Sequence, residues 1–209
     1  GNPHYWLDPL NGRLIADQIA ERLSALRPGI ADAFERNSER FKRRLDEHMF
    51  GRELTENVGG DRLWALLLND KLDAYLASEG REAAAGGWFA KLRPHRGAPI
   101  VVYHRSWNYF TQRFGLEIAT ELEPKPGIPP TASHLRDVVR TVSARDVKLI
   151  LIEPFYNRKA AEKVAEKTDA HVVVCANSVG GQSGVSDYIG LLDHVVSKVD
   201  AALSGQGAR

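Results

Sequence analysis

The chain has 209 residues, 43% of them hydrophobic and 26% charged, a composition that supports a core of ordinary size without help from disulfides. Its 28 basic and 27 acidic residues leave a formal net charge of +1, so the charge balance gives no case for nucleic acid or an anionic membrane surface as a partner. Cys175 is the single cysteine, which excludes an internal disulfide, and no apolar run approaches the length of a membrane span.

The 209 residues contain no signal-peptide pattern and open abruptly at Gly1 inside a structured motif, so further residues are expected upstream. Asp8-Pro9 reads as an N-cap followed by proline in the first helical turn. Ile15, Ile19, Leu23 and Leu26 then recur at helical spacing until Pro28-Gly29 ends the run. A second helix carries Ile30, Phe34, Phe41 and Leu45 along one stripe and reaches at least Met49. The basic run Arg40 to Arg44, broken by Phe41 and flanked by Glu39, Asp46 and Glu47, reads as the solvated face of that helix. Asn57 to Gly60 interrupt the pattern, and shorter helices are predicted around Arg62–Leu68 and Asp70–Ser78.

From residue 99 strands and helices alternate. Pro99 to Tyr103 is a buried strand, Ser106 to Phe114 a helix, and Leu116 to Leu122 a second strand. Glu123 to Pro130 is a proline-rich loop, after which Thr131 or Ser133 caps a helix to about Ala144. Val147 to Ile152 is the most apolar strand, Asn157 to Lys167 a helix, and His171 to Cys175 a fourth strand. A glycine-rich loop precedes a last helix from about Ser186 to Leu203, and the SGQGAR tail is expected to lack regular structure. This alternation predicts an α/β fold, a mainly parallel four-stranded sheet covered by helices.

An open parallel sheet places its ligand site beyond the carboxyl ends of its strands. His104 directly follows the first strand, Glu153 directly follows the third, and Asn177 lies two residues after the fourth. An imidazole and a carboxylate at one sheet edge suit a borderline metal such as Zn2+, and the same pair suits acid–base catalysis. Each also has a plain structural reading: His104 as a hydrogen-bonded strand-end residue, Glu153 as the cap of the next helix, Asn177 as a turn residue. No P-loop or dinucleotide fingerprint is present, and Ser183 in GGQSG does not form a G-x-S-x-G elbow.

The order of four motifs narrows the choice. NPHYWLDP at 2–9, YHRSWNYF at 103–110, EPKPGIPPTASHL at 123–135 and VKLILIEPFYNRKAAEKVAEKTDAHVVV at 147–174 together resemble the periplasmic zinc/manganese-binding proteins of ABC metal importers, the ZnuA/TroA-like solute-binding family. The resemblance runs from residue 2 to about residue 203. It implies two α/β lobes joined by a long helix, with metal held between them. It further implies that His4 and His104 are metal ligands, His at the second position being the zinc-type choice. The family's Asp on the loop after the last strand is matched by Asn177, a neutral and poorer donor, which leaves Glu153, Asp187 or water to complete the shell. Asp187 also reads as the cap of the last helix, the reading preferred for it.

The expected organisation is a remnant of the N-terminal lobe over 1–28, a long linker helix over 29–57, and a C-terminal α/β lobe over 58–209 with a helical insertion around 60–98. The expected site is a metal centre of His4, His104 and Glu153, holding Zn2+ or, as the alternative, Mn2+. The resemblance implies an extracytoplasmic binding protein without turnover, monomeric, partnered by an ABC transporter permease, with no membrane insertion and no nucleic acid. The competing expectations are an α/β hydrolase using His104 and Glu153, or a surface adhesion module. His134 is expected at a solvent-facing helix start, without a role in the site.

Overall fold

A computed structural model of the chain describes residues 1–205, so all but the first two residues of the SGQGAR tail lie outside the described residues. The chain forms two compact units, Gly1–Leu7 together with the chain from Leu92 onward, and Asp8–Lys91.

The first unit is built on four strands, β1 (Pro99–Val102), β2 (Glu117–Glu121), β3 (Leu149–Ile152) and β4 (His171–Val174). They pair in the order β2-β1-β3-β4, every neighbour parallel. The two central strands read as continuous apolar runs because both faces are covered. All four residues of β3 are fully buried, as are Ile100, Val101 and Val102 of β1, each contributing about 2 kcal/mol of burial. Helices connect the strands: Asn108–Phe114 before β2, Ala132–Ala144 before β3, Lys159–Ala165 before β4, and Tyr188–Leu203 last.

The caps foreseen at two of these helices are made. Thr131 accepts from the His134 N–H and Asp187 from the Gly190 N–H, each fixing a helix start at about 1 kcal/mol. Gly115 ends its helix in the left-handed conformation at φ 71°, where a side chain would be strained. His134 is half-buried rather than solvent-facing, with Nε2 3.0 Å from the Glu121 carbonyl. In strand order, β1 and β3 are adjacent while their onward connections run to opposite sides, to β2 and to β4. The crevice at their carboxyl ends is therefore the topological switch point, where open α/β sheets bind ligands.

The second unit is helical. Asp8 caps α1 (Pro9–Leu26) by accepting from the Leu10 N–H, and proline occupies the first turn as the sequence predicts. The second predicted helix is α2 (Ala31–Phe50), stopped at Gly51. Three shorter helices follow: α3 (Arg52–Val58), α4 (Gly60–Leu68) and α5 (Leu72–Ser78). Their apolar faces bury Leu54, Leu63, Trp64, Leu72 and Leu76 in a core that also holds Leu45, Met49 and Phe50 of α2.

A charged knot lies beside that core. Asp46 is 4% exposed and accepts from the Trp64 indole at 2.7 Å, and Arg13 reaches both Asp46 at 3.5 Å and Asp61 at 2.5 Å. Burial raises the Asp46 pKa, opposed by the Trp64 hydrogen bond and the Arg13 charge. Periodicity locates α1, but its apolar residues are not the covered ones: Pro9, Gly12, Arg13 and Ala20 are buried, while Ile19, Leu23 and Leu26 are exposed.

Candidate metal site

His104 leaves β1 in extended conformation at the switch point, just before a tight turn containing the buried Ser106 and Trp107. Its Nδ1 lies 2.5 Å from Glu123 Oε2. Glu123 is 6% exposed, and its other oxygen accepts the Gly127 N–H at 2.6 Å, tying the proline-rich loop to the same carboxylate. Glu123 stands two residues past β2, a strand-end position like those of His104 and Glu153.

His4 is brought beside His104, with ring centroids 6.1 Å apart and planes at 74°. The segment carrying it belongs to the same unit and is fastened at several points. The Trp6 indole donates to the Asn177 carbonyl at 2.7 Å, and the Tyr188 hydroxyl donates to the Trp6 carbonyl at 2.6 Å. Leu7 is fully buried. The His4 pKa is lowered by burial first and then by the neighbouring His104, so the ring stays neutral to lower pH than an ordinary histidine. Nδ1 of His4 is 2.8 Å from Asn2 Oδ1. Each ring thus has its Nδ1 engaged and Nε2 left as its open donor atom.

Glu153 is fully buried at the end of β3, and neither carboxylate oxygen has a hydrogen-bond partner. Burial pushes its pKa up to about 7. Its side chain makes no bond to the next helix, ahead of which Asn157 accepts from the Lys159 N–H at 3.0 Å. A buried acid with two unpartnered oxygens at the strand end next to that of His104 suits a cation more than it suits an empty core. Among the described residues, however, no three His, Cys, Asp or Glu side chains are grouped so as to hold a metal ion. The structure brings His4 and His104 together and leaves Glu153 within electrostatic reach of His104.

Asn177 serves the site through its backbone, as the acceptor for Trp6, and Asp187 is committed to its helix cap. Tyr156 stacks on Tyr103 at 3.9 Å beside the site. Its hydroxyl pKa is pushed up to about 12 by burial and the two nearby glutamates. Cys175 is buried with its thiol pushed up to about 12 by burial, so it supplies no thiolate donor.

This arrangement, a parallel sheet with two imidazoles at its switch point and a carboxylate at the neighbouring strand end, is that of an α/β protein with a candidate ligand site at its sheet edge. The family model "Zinc-uptake complex component A periplasmic" (ZnuA) matches residues 1–49 and 82–202, and the chain belongs to that family. Curated relatives include the "High-affinity zinc uptake system protein ZnuA" of Brucella abortus, 26% identical over 171 residues, covering 82% of this chain and 40% of that protein. The protein of the same name from Paracoccus denitrificans is 25% identical over 193 residues, 91% of this chain and 48% of that protein. The chain therefore spans less than half the length of these relatives. Solved structures with the same fold include a ZnuA crystal structure, at TM-score 0.67 and 22% identity over 97% of this chain and 62% of that one. Another is the Pseudomonas aeruginosa binding protein FpvC in complex with Mn2+, at TM-score 0.66 and 21% identity over 99% of this chain and 64% of that one. A third is the laminin-binding protein Lmb of Streptococcus agalactiae, at TM-score 0.68 and 22% identity over 97% and 64%.

Proposed function

We propose that this chain is the C-terminal, cation-holding part of an extracytoplasmic solute-binding protein that captures Zn2+ for an ABC importer without chemical turnover. The carrying observation is the pair His4 and His104, 6.1 Å apart, each with Nδ1 engaged and Nε2 open. Two neutral imidazoles favour Zn2+ over Mn2+, which prefers oxygen donors. Glu153 is the third donor of the proposed set, its charge stabilised once a cation is bound. The curated relatives, named as zinc uptake proteins, point the same way. That FpvC is described with Mn2+ and with Ni2+ keeps the claim for this chain's metal to a preference.

A hydrolase reading needs a nucleophile hydrogen-bonded to the free nitrogen of His104, and none is present among the described residues. Among them, no helix is long and apolar enough to cross a membrane. Partnership with a permease, a monomeric state and an extracytoplasmic location belong to the same proposal, as does the helical insertion around 60–98. Zn2+ titration of the 209-residue chain tests the reading. His104→Ala should lower Zn2+ affinity more than tenfold, about 1.4 kcal/mol, whereas His95→Ala, before the amino end of β1, should leave it unchanged. Equal affinities in the two variants would overturn the assignment. Because His4 must be neutral to coordinate and burial lowers its pKa, affinity should fall as pH drops into a range below the ordinary histidine value of about 6.5.

A further inference from the structure

We infer that Asn2 and Glu123 are positioning residues that lock both site histidines in the tautomer with a proton on Nδ1 and a bare Nε2, and that Asn2 additionally ties the two histidine segments together. The protonation pattern follows from the hydrogen bonds by elimination. Asn2 Oδ1 lies 3.0 Å from the His4 backbone nitrogen, which can only donate, so this atom of the amide is the oxygen. The remaining amide atom is then the nitrogen, and it meets the Arg105 carbonyl, which can only accept, at 2.6 Å. Both ends of the Asn2 amide are thereby fixed. His4 Nδ1 sits 2.8 Å from that oxygen and must donate to it, which leaves Nε2 without a proton.

The same logic holds at His104. A carboxylate only accepts, and Glu123 already accepts the Gly127 N–H through its other oxygen. His104 Nδ1, 2.5 Å away, is therefore the donor, and Nε2 again carries the lone pair. A glutamine could not replace Glu123, because its NH2 group would face one of the two N–H donors. Asn2 is also more than a support for one ring. Its side chain accepts from His4 and donates to the carbonyl of the residue after His104, and its own carbonyl receives the Tyr109 hydroxyl at 3.4 Å. Two donors contributed by segments a hundred residues apart in sequence are held in one register before any cation arrives.

The inference rests on the proposed metal function for its purpose but not for its test. Long-range 1H–15N NMR of the metal-free 209-residue chain near pH 8 reads the tautomer of each ring directly. Wild type should show Nδ1–H with bare Nε2 at both His4 and His104. Asn2→Ala should release His4 into the Nε2–H form that a free imidazole prefers, with His104 unmoved. Asn2→Asp, which keeps the acceptor oxygen, should restore the His4 tautomer, and Glu123→Gln should perturb His104 alone. Zn2+ affinity should fall at least tenfold in Asn2→Ala and in Glu123→Gln. An Nε2–H form at either ring in wild type, or an unchanged His4 tautomer in Asn2→Ala, overturns the inference. Failure of wild type to bind Zn2+ while showing the stated tautomers upholds the inference and overturns the metal reading instead.

Discussion

Glu153 shows how a single buried acid can couple the site to stability. Its folded pKa stands near 7 against an ordinary 4.5, chiefly through burial. Between those pH values the unfolded carboxyl has released its proton and the folded one keeps it, so stability falls as pH rises through that window. At about 1.4 kcal/mol per unit, the loss by pH 8 is about 3 kcal/mol. Glu153→Gln should abolish it: urea unfolding of the metal-free variant should give stability above wild type by about 3 kcal/mol at pH 8 and equal to it near pH 4. The same variant should bind Zn2+ more weakly, and a metal-free wild type with no such slope would refute the account. His4 acts in the opposite sense. Its lowered pKa means that stability is lost as pH falls below about 6.5, because the unfolded ring takes up a proton that the folded ring resists.

At the scale of elements, two glycines of the helical unit mark where backbone and side chains approach too closely for a Cβ. A Cβ on Gly87, at φ 60°, would stand 2.0 Å from the His48 carbonyl oxygen, and backbone cannot step aside. One on Gly60 would stand 1.9 Å from Asp46 Oδ2, a side-chain atom. Gly87→Ala should therefore cost about 3 kcal/mol and Gly60→Ala about 1 kcal/mol, read as shifts of the denaturation midpoint at unchanged slope. Equal losses would mean that Asp46 is held as rigidly as backbone. The caps at Asp8, Thr131 and Asp187 and the apolar strand runs were legible in the sequence because one residue type at one position carries each signal. The covered face of α1 was not legible, since an ion-pairing Arg13 is buried there while Ile19 and Leu26 are exposed, and helical spacing does not say which stripe is covered. Glu123 was placed only in a proline-rich loop. The strand-end rule that selects His104 and Glu153 also selects it, as a polar residue just past the edge strand β2.

Over the whole chain, the strand order puts the exits of β1 and β3 side by side, so residues about fifty positions apart in sequence, His104 and Glu153, meet at one crevice. That shared edge was legible from the strand-end positions, and the approach of His4 only from the motif resemblance; the hydrogen bonds from Trp6 and Tyr188 that hold its segment are announced by no local pattern. Because both imidazoles belong to the first unit, Zn2+ should slow amide hydrogen exchange there first. At a free concentration one hundred times its Kd it adds about 2.7 kcal/mol of protection to openings that break the site. Exchange measured by mass spectrometry should show the gain in residues 1–7 and around 99–128. Protection gained only within Asp8–Lys91 would place the cation elsewhere.

The stretch that the family model leaves unmatched, residues 50–81, has a feature at its root that bears on how it can be handled. The Phe50 carbonyl accepts the Gly86 N–H at 2.9 Å, and a Cβ on Gly51 would lie 2.9 Å from the Gly86 Cα. The polypeptide thus departs and returns through one doorway, and closing that doorway with a short turn costs little chain entropy. Residues 51–85 are a cassette by this geometry. They should be exchangeable for a guest domain whose ends are adjacent, provided it covers the side of α2 carrying Leu45, Met49 and Phe50.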